Sequence, residues 1–316
     1  AKLGETLKKV PGGLGLDFPD DAAAIPIGDG RYLVVTVDSY TVNPPVFPGG
    51  DIGVLAASGS INDILMLGGR PIAMLDAVVV EEGLPIDTLE KIVDSFLSVL
   101  RSEGVALIGG DFKVMPKGQL DKVIITTVGI GIANRIIVDK PRPGDKIVVT
   151  DYVGDHGAVI MMLQYGENPG VLKSDVKPLT NLMIPLLEKY GQYIHAARDP
   201  TRGGLSMVLN DWAKTGGVVV VEEDMIPIRP EVVSYAYMLG VDPLHLASEG
   251  VAVLAVDPAV AEEVLKLIHS LGFTNARIIG EFKESQRYKG YVLLKTQAGG
   301  YRILEPPRGD IVPRIC

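Results

Sequence analysis

The stretch "DIGVLAASGSINDILMLGGRPIAMLDAVVVEEG", residues 51–83, decides the fold class. Its first part, 51–69, is predicted to form a helix that begins at the N-cap Asp51 and ends at two glycines before Pro71. Its second part, 71–83, is rich in apolar and β-branched residues and is predicted to form a strand. Helix followed by strand is the pattern of an α/β or α+β fold with two layers per domain.

The same alternation continues along the chain on both sides. Residues 87–104 form the clearest helix, with Asp87 and Glu90 in a capping-box pattern and Gly104 at its end. A helix at 178–191 is expected to be interrupted at Pro185. Strands of the first half are predicted at 32–38, at 105–111 where the strand runs into a turn, and at 122–133.

Length and composition restrict the classes of protein. A chain of 316 residues with 47% hydrophobic and 22% charged residues is expected to form two globular domains. The Pro- and Gly-rich segment 139–146 is the predicted boundary, giving domains at 1–140 and 141–303 and a flexible tail at 304–316.

Charge and hydropathy exclude two kinds of partner. The formal net charge is −9, and without a cluster of Lys and Arg the chain is not expected to bind nucleic acid. No run of 18 apolar residues indicates a membrane helix, and the N-terminal residues lack an apolar signal core. One cysteine and no signal predict a cytoplasmic protein.

Several aspartates border apolar segments and point to a cation site. They come from separate parts of the chain and are Asp20, Asp21, Asp38, Asp63 and Asp111. If they converged, their charges would repel unless cations lay between them, and Mg²⁺ prefers carboxylate, phosphate and water oxygens. A cap or turn role is the alternative for any one of them. Asp63 is the exception, because it lies in mid-helix beside Asn62, where it has no cap to make.

The segment "RDPTRGGL", 198–205, is a candidate anion site at a helix start. Backbone N–H groups at Gly203 and Gly204, the Thr201 hydroxyl and the charges of Arg198 and Arg202 suit a phosphate. A plain turn before a helix would look similar. Standard phosphate loops are absent, and "GIGIAN" at 129–134 is a weak dinucleotide match.

Two further side chains are candidates for proton or phosphate chemistry. Lys113 follows Asp111 just after a glycine pair, although a surface lysine alone is a weak signal. Glu249 stands before Gly250 at the mouth of a buried strand, where it is either a base or an ordinary turn acid. His156 and His195 lack metal-ligand spacing, so zinc is not expected.

The last residues, "PPRGDIVPRIC" at 306–316, carry the single cysteine, Cys316. The prolines favour extended backbone, and the 12 residues from Glu305 to Cys316 span roughly 40 Å when stretched. The tail is therefore a stiffened arm with a nucleophile at its end, or a docked tail with an incidental thiol.

These motifs together resemble a known family. In chain order they are "PDDAAAI", "VTVDSYTVNPPVFPGGDIG", "SINDILMLGGRP", "IGGDFKV", "GDHG", "RDPTRGGL", "ASEG" and the terminal "PRIC". They resemble the HypE family of hydrogenase maturation proteins, which are carbamoyl dehydratases of the aminoimidazole-ribonucleotide-synthetase-like superfamily. The resemblance runs from about Asp20 to Cys316 and implies the two-domain fold of that superfamily, with mixed sheets covered by helices.

The resemblance also implies a site and partners. ATP is expected at a cleft of a homodimer, bound by Asp20, Asp21, Asp38, Asn62, Asp63, Asp111, Thr201, Arg202 and Gly203. Mg²⁺ is expected at Asp21, Asp38, Asp63 and Asp111. A carbamoyltransferase, HypF, would load Cys316, and a HypC–HypD scaffold would receive cyanide for the [NiFe] hydrogenase iron. Two departures from the family pattern are expected: the glycine-rich N-terminal segment of the family is not found in the sequence given, and Phe112 stands where a small hydroxyl residue is expected.

The chemistry expected of such a site is dehydration of a thiocarboxamide to a thiocyanate. ATP phosphorylates the carboxamide oxygen, Glu249 takes a proton from nitrogen as phosphate leaves, and Lys113 steadies the oxygen or the phosphoryl group. Two alternatives remain: another enzyme of the superfamily, such as a thiamine-phosphate kinase, or a nucleotide-responsive docking protein whose cysteine anchors a partner.

Overall fold

Two mixed β-sheets, one in each half of the chain, form the framework on which helices pack. The computed structural model describes residues 8–18 and 20–307. The first half contains β1 (Ala23–Gly28), β2 (Arg31–Tyr40), β3 (Val46–Phe47), β4 (Gly50–Asp51), α1 (Ile52–Met66), β5 (Arg70–Glu81), α2 (Ile86–Glu103), β6 (Ala106–Met115) and β7 (Val123–Ala133).

The second half begins after the predicted boundary. It contains β8 (Lys146–Val149), α3 (Asp155–Gln164), α4 (Thr180–Tyr190), β9 (Ile194–Arg198), α5 (Gly204–Lys214), β10 (Val218–Glu222), α6 (Pro230–Leu239), β11 (Val253–Val256), α7 (Ala261–Ser270), β12 (Arg277–Lys283), β13 (Val292–Lys295) and β14 (Tyr301–Ile303). None of the helices in the described ranges is long and apolar enough to span a membrane.

The first sheet has the strand order β1-β2-β7-β5-β6, and only its β5–β6 pair is parallel. Helix α1 packs on this sheet, and every residue of α1 except Val54 is buried, as its apolar composition on all sides requires. A Cβ at Gly59 would lie 2.1 Å from the Tyr40 hydroxyl oxygen, so glycine is needed for this close approach. The packing fixes where the polar end of α1 meets the sheet.

The predicted start of α1 is confirmed, whereas the predicted start of α2 is wrong. Asp51 caps α1, its Oδ1 accepting hydrogen bonds from the backbone N–H groups of Gly53 and Val54 at 2.8 and 3.0 Å. Helix α2 instead follows Pro85, and no side chain caps it. Pro85 is itself the N-cap, with φ −59° and ψ 134°, so Asp87 lies inside the first turn rather than at its cap.

Two other local predictions were wrong. The strand predicted at 105–111 does not turn at its glycines; β6 continues to Met115, because pairing with β5 absorbs the irregularity between Met74 and Leu75. Helix α4 likewise continues through Pro185. Tertiary pairing and packing outweighed the local preferences of glycine and proline at both places.

The second sheet has the strand order β14-β13-β10-β12-β8-β11-β9 and carries the first residues of the predicted tail. Leu304 is 1% exposed in the core of this half. Its carbonyl oxygen accepts a hydrogen bond from Asn210 Nδ2 at 3.0 Å, and His245 Nε2 is hydrogen-bonded to the Glu305 carbonyl at 3.2 Å. The start of the predicted tail at 304 is therefore anchored, while Cys316 lies outside the described residues.

Candidate functional site

A cavity of about 450 Å³ lies where the two halves of the chain meet. Its wall is mostly charged or polar and is formed by Asp20, Asp21, Thr36, Val37, Asp38, Asp63, Arg198, Asp199, Thr201, Arg202, Met207, Val208 and Asp211. Four of the five predicted aspartates and three residues of the predicted anion site, Arg198, Thr201 and Arg202, are thus brought together.

Three elements of the first half position the carboxylates. Asp21 stands just before β1, Asp38 lies on β2, and Asp63 lies near the end of α1. The Thr36 hydroxyl links them, lying 2.6 Å from Asp63 Oδ2 and 3.2 Å from the Asp21 carbonyl oxygen. Asp63 is therefore placed by its neighbours in the sheet and is no helix cap, in agreement with its mid-helix position.

Burial and mutual repulsion raise the pKa values of these acids. Burial raises the pKa of Asp63 well above its usual range, and the charges of Asp199, Asp21 and Asp38 add to the shift. Burial raises the pKa of Asp21 to about 7 although the Arg198 guanidinium opposes it. Burial also raises the pKa of Asp38, with Arg202 opposing. Such a cluster favours a cation or a proton between its members.

Arg198 has a different role from the one its motif suggested. Its Nε lies 3.1 Å from Asp21 Oδ1 and 2.9 Å from Asp139 Oδ2, and its Nη1 lies 3.3 Å from Asp211 Oδ2. Carboxylates therefore surround the guanidinium, and it neutralises the acidic cluster instead of being available to a phosphate. Arg202 pairs with Asp38 and remains half exposed at the cavity wall.

The loop before α5 carries the predicted anion site and contacts the start of the tail, residues 304–307. Gly203 and Gly204 have φ values of 68° and 60°, a left-handed conformation that turns the chain into α5. A Cβ at Gly203 would lie 2.9 Å from Pro307 Cγ, so the proline rests on this loop. Pro307, the last residue that the structure describes, thus lies against the loop that also carries Thr201 and Arg202 of the cavity wall.

Glu249 lies behind the cavity wall and is 1% exposed. Burial raises its pKa well above the usual range, and the charges of Asp199, Asp175 and Asp38 raise it further. Its Oε1 is buried without a hydrogen-bond partner among the described residues. A carboxyl group of raised pKa close to the acidic cluster has the properties of a general base or acid.

Besides Glu249 and Gly203, three further predicted residues are not among those that form the cavity wall. Asp111 and Lys113 lie on β6, the exposed edge strand of the first sheet, and Asp111 Oδ1 accepts from the Phe112 backbone N–H. Asn62 contacts the second half instead: its Oδ1 accepts from the Leu179 N–H at 2.8 Å and its Nδ2 donates to the Lys177 carbonyl at 3.1 Å. Their expected roles with ATP stay predictions.

Sequence reasoning missed Asp199, which is 4% exposed in the cavity wall. Burial raises its pKa well above the usual range, with the charges of Asp21 and Asp38 adding to the effect. Its position between an arginine and a proline in "RDPTRGGL" could have indicated a site residue, but aspartate is also typical of an ordinary turn. Asp139 and Asp211, which hold Arg198, carried no signal in the sequence.

The carboxylates fit a hydrated Mg²⁺. Asp21 Oδ2 and Asp199 Oδ2 are buried without a hydrogen-bond partner among the described residues, so each has lone pairs available to a cation. Within 8–18 and 20–307, no three His, Cys, Asp or Glu side chains are arranged to ligate one ion by themselves. Mg²⁺ commonly keeps several waters and takes one or two carboxylates together with phosphate oxygens, so these two aspartates offer enough ligands from the protein.

Comparison with known proteins gives the relatives of the chain. Family models of the AIR synthase related proteins match it, the N-terminal domain model at residues 19–133 and the C-terminal domain model at 142–293. A carbamoyl dehydratase HypE of Rhizobium leguminosarum bv. viciae is 39% identical over 304 residues, covering 94% of this chain and 86% of the relative.

Solved structures agree with these matches. A HypE crystal structure in complex with ATP is 38% identical, with a TM-score of 0.85 over 94% of this chain and 90% of that chain. A HypE chain from a HypE–HypF complex is 37% identical, with a TM-score of 0.84 over 91% of this chain and 93% of that chain. The expected two-domain fold is therefore confirmed.

Proposed function

The chain belongs to the HypE carbamoyl dehydratases of hydrogenase maturation, within the AIR synthase related family, and we propose that it dehydrates a carbamoyl group on the thiol of Cys316 in an ATP-dependent reaction. One observation supports this most strongly: Pro307, at the start of the tail, lies against the loop at Gly203 that also contributes to the wall of the acidic cavity. The group on the tail and a nucleotide in the cavity would then be neighbours.

The reaction has two steps whose atoms balance. The carboxamide oxygen of S–C(=O)–NH₂ attacks the γ-phosphorus of ATP, which releases ADP and leaves an O-phosphorylated thioimidate. The C–O bond then breaks and phosphate leaves with that oxygen, while the nitrogen gives up its two protons, one to Glu249 and one to the phosphate, to give S–C≡N. Phosphorylation is needed because hydroxide is a poor leaving group.

ATP is proposed to bind in the cavity because a HypE relative is known in complex with ATP. The residues proposed to bind it there are Asp20, Asp21, Asp38, Asp63, Thr201, Arg202 and Gly203. Mg²⁺ held by one or two of Asp21, Asp38 and Asp63, together with water and phosphate oxygens, would neutralise phosphate charge. The backbone N–H groups after Gly203 and the Thr201 hydroxyl are the donors offered to phosphate oxygens.

Glu249 is proposed as the base that takes the nitrogen proton, because its carboxyl is buried, has a raised pKa and keeps a free oxygen. The Glu249→Gln variant should bind the tail and ATP yet lose about 10²–10⁴-fold in the rate of water loss. Normal turnover in that variant would remove Glu249 from the mechanism.

A homodimer is proposed to complete the site. Strand β6 is an edge strand with exposed apolar side chains, among them Ile108, Phe112 and Val114 at 59%, 53% and 56% exposure. Such an edge is normally covered, and a second copy covering it would carry Asp111 and Lys113 towards a neighbouring cavity. Sedimentation of Phe112→Lys should show monomers; a dimer that persists would contradict this interface.

The partners are proposed on the family relationship. A relative is known in a HypE–HypF complex, so HypF is the proposed carbamoyl donor. A HypC–HypD complex as the acceptor of cyanide for the [NiFe] hydrogenase iron rests on the sequence resemblance.

The decisive experiment is an intact mass of the C-terminal peptide after incubation with the donor system, without and with Mg²⁺-ATP. A carbamoyl adduct on Cys316 that loses one water only when ATP is present is the expected result. An adduct that keeps its mass with ATP present would refute the dehydratase proposal for this chain.

A further inference from the structure

The segment that carries Glu249 belongs to no helix or strand. It lies between the short turn that ends at His245 and the start of β11 at Val253. Ladder hydrogen bonds of a sheet therefore do not set the position of Glu249. Whatever holds its peptide group determines where its carboxyl group points.

Asp175 holds this peptide from one side. Its Oδ2 accepts hydrogen bonds from the backbone N–H groups of Glu249 and Gly250, both at 3.1 Å. Its Oδ1 accepts from the backbone N–H of His156, in the first turn of α3, also at 3.1 Å. One carboxylate thus ties the Glu249 segment to the start of a helix.

Asn62 contacts the same peptide from the other side. Its Nδ2 lies 3.4 Å from the Glu249 carbonyl oxygen, and the same amide bonds Lys177 and Leu179 in the second half. Asn62 precedes Asp63, whose carboxyl lines the cavity. The amide therefore connects the helix that supplies Asp63 to the segment that supplies Glu249.

Close packing at Gly250 and a hydrogen bond at Ser248 restrict the segment. A Cβ at Gly250 would lie 2.0 Å from the Asp175 carbonyl oxygen, so this position accepts only glycine without a shift. On the other side, the Ser248 N–H donates to the Pro200 carbonyl at 3.1 Å, next to Asp199. The segment is fixed to the cavity loop and to Asp175 at once.

We propose that Asp175, together with Asn62, is a positioning residue that fixes the Glu249 peptide so that its carboxyl group faces the reacting nitrogen. The proposal rests on the proposed role of Glu249 as the base. In this role Asp175 and Asn62 act through Glu249 and not by contact with the carbamoyl group. A misplacement of about 1 Å costs roughly 10²-fold in rate when a reacting group must be held in place.

The test is a double-mutant cycle on the rate of ATP-dependent water loss. Single turnovers are followed by the mass of the carbamoylated C-terminal peptide in Asp175→Asn, in Glu249→Gln and in the double variant. Asp175→Asn alone should lower this rate about 10- to 100-fold. Its affinity for ATP and its carbamoylation by the donor system should change less than about threefold. In the Glu249→Gln background, Asp175→Asn should cause no further loss, because a residue that acts through another has nothing left to act on.

Control variants separate positioning from folding. Asp51→Asn removes another buried carboxylate that binds two backbone N–H groups, at the opposite end of α1, and should leave the rate unchanged. Asn62→Ala is the second probe if Asp175→Asn unfolds, and it should behave in the cycle as Asp175→Asn does.

The outcomes distinguish two failures. The same fold-loss in the Glu249→Gln background as in the wild type would overturn the positioning role and leave the base assignment intact. A wild-type rate in Glu249→Gln would overturn both.

Discussion

Arg198 Nε lies 3.1 Å from Asp21 Oδ1, so the last residue of β9 in the second half neutralises the acidic motif of the first half. Asp139 and Asp211 also form ion pairs with the Arg198 guanidinium. Arg198→Ala should destabilise the protein by about 3–5 kcal/mol, because it leaves buried carboxylates without their counter-charge. Denaturant unfolding measures this.

The matched control is Arg70→Ala. The Arg70–Glu188 pair has a similar distance of 2.9 Å, but both side chains are mostly exposed. Its loss should change the unfolding free energy by less than about 1 kcal/mol. Equal effects of the two substitutions would show that Arg198 does not hold the cluster together.

Asp63→Asn should separate stability from ligand binding. Burial and the charges of Asp199, Asp21 and Asp38 disfavour the ionised form of Asp63. The variant should therefore be more stable than the wild type by roughly 1 kcal/mol at pH 8 without ligands. It should also lose most of the thermal stabilisation by Mg²⁺-ATP. Asp94→Asn, an exposed change on α2, should do neither; an undiminished ligand effect in Asp63→Asn would remove Asp63 from the site.

The dehydration rate should depend on pH through Glu249. A base works only after it loses its proton, and burial raises this pKa well above the usual value near 4.5. The rate should therefore rise with pH across a limb that lies above pH 4.5. Starting from preformed carbamoyl adduct removes the donor's own pH dependence. The residual dehydration rate of Glu249→Gln should not show this rise with pH. A rise that persists in the variant would mean that another group is responsible for it.

His156 should make stability depend on pH in the acidic range. Its Nδ1 lies 2.7 Å from Ser174 Oγ, and burial lowers its pKa from 6.5 to about 3. Between these values the unfolded chain binds the proton and the folded protein does not. The unfolding free energy should consequently rise with pH from about 3 to 6.5, by at most about 3 kcal/mol between pH 4 and 6.5.

Two acidic residues near His156 change the pH dependence of stability in the opposite direction, so the effect of the histidine must be measured by comparison with a variant. Burial raises the pKa of Asp155 to about 6 and that of Asp175 to about 7, so each lowers stability as pH rises from about 4 towards those values. The difference between wild type and His156→Asn, measured by denaturant unfolding at pH 4, 5 and 6.5, isolates the histidine. Parallel curves would contradict its buried neutral state.

Anchoring of the start of the tail, residues 304–307, should affect the rate at which the carbamoyl group is dehydrated but not the rate at which Cys316 is carbamoylated. Leu304→Ala removes a buried side chain next to the Asn210 hydrogen bond and should cost about 2–4 kcal/mol of stability. Carbamoylation of Cys316 by the donor should remain, because the thiol lies far along the chain from this point. Water loss should slow about 3- to 10-fold, since loosening the start of the tail lowers the effective concentration of the tail at the cavity. Lys266→Ala, an exposed change on α7, serves as the control. Slower carbamoylation of Cys316 in Leu304→Ala would contradict the prediction that the start of the tail affects only the dehydration step.

Local patterns in the sequence predicted much of the architecture. Periodicity identified α2 and the strands around it, and a capping side chain identified the start of α1. Where a prediction was wrong, as at β6 and Pro185, long-range pairing and packing outweighed a local breaker. The functional residues were predicted as types, and their grouping was expected only from the family resemblance.

The sequence by itself determined several helices and strands, among them α1, β5 and α2, together with the acidic motifs and the glycine loop, because these depend on residues close together in the chain. Only the tertiary structure decided that Asp38 and Asp63 share a cavity, that Arg198 serves their neighbours and that Asn62 binds the Glu249 segment. It also placed Asp111 and Lys113 on a distant edge strand. The reason is that side-chain type is a local property, whereas the distances between charges depend on how two sheets and their helices pack.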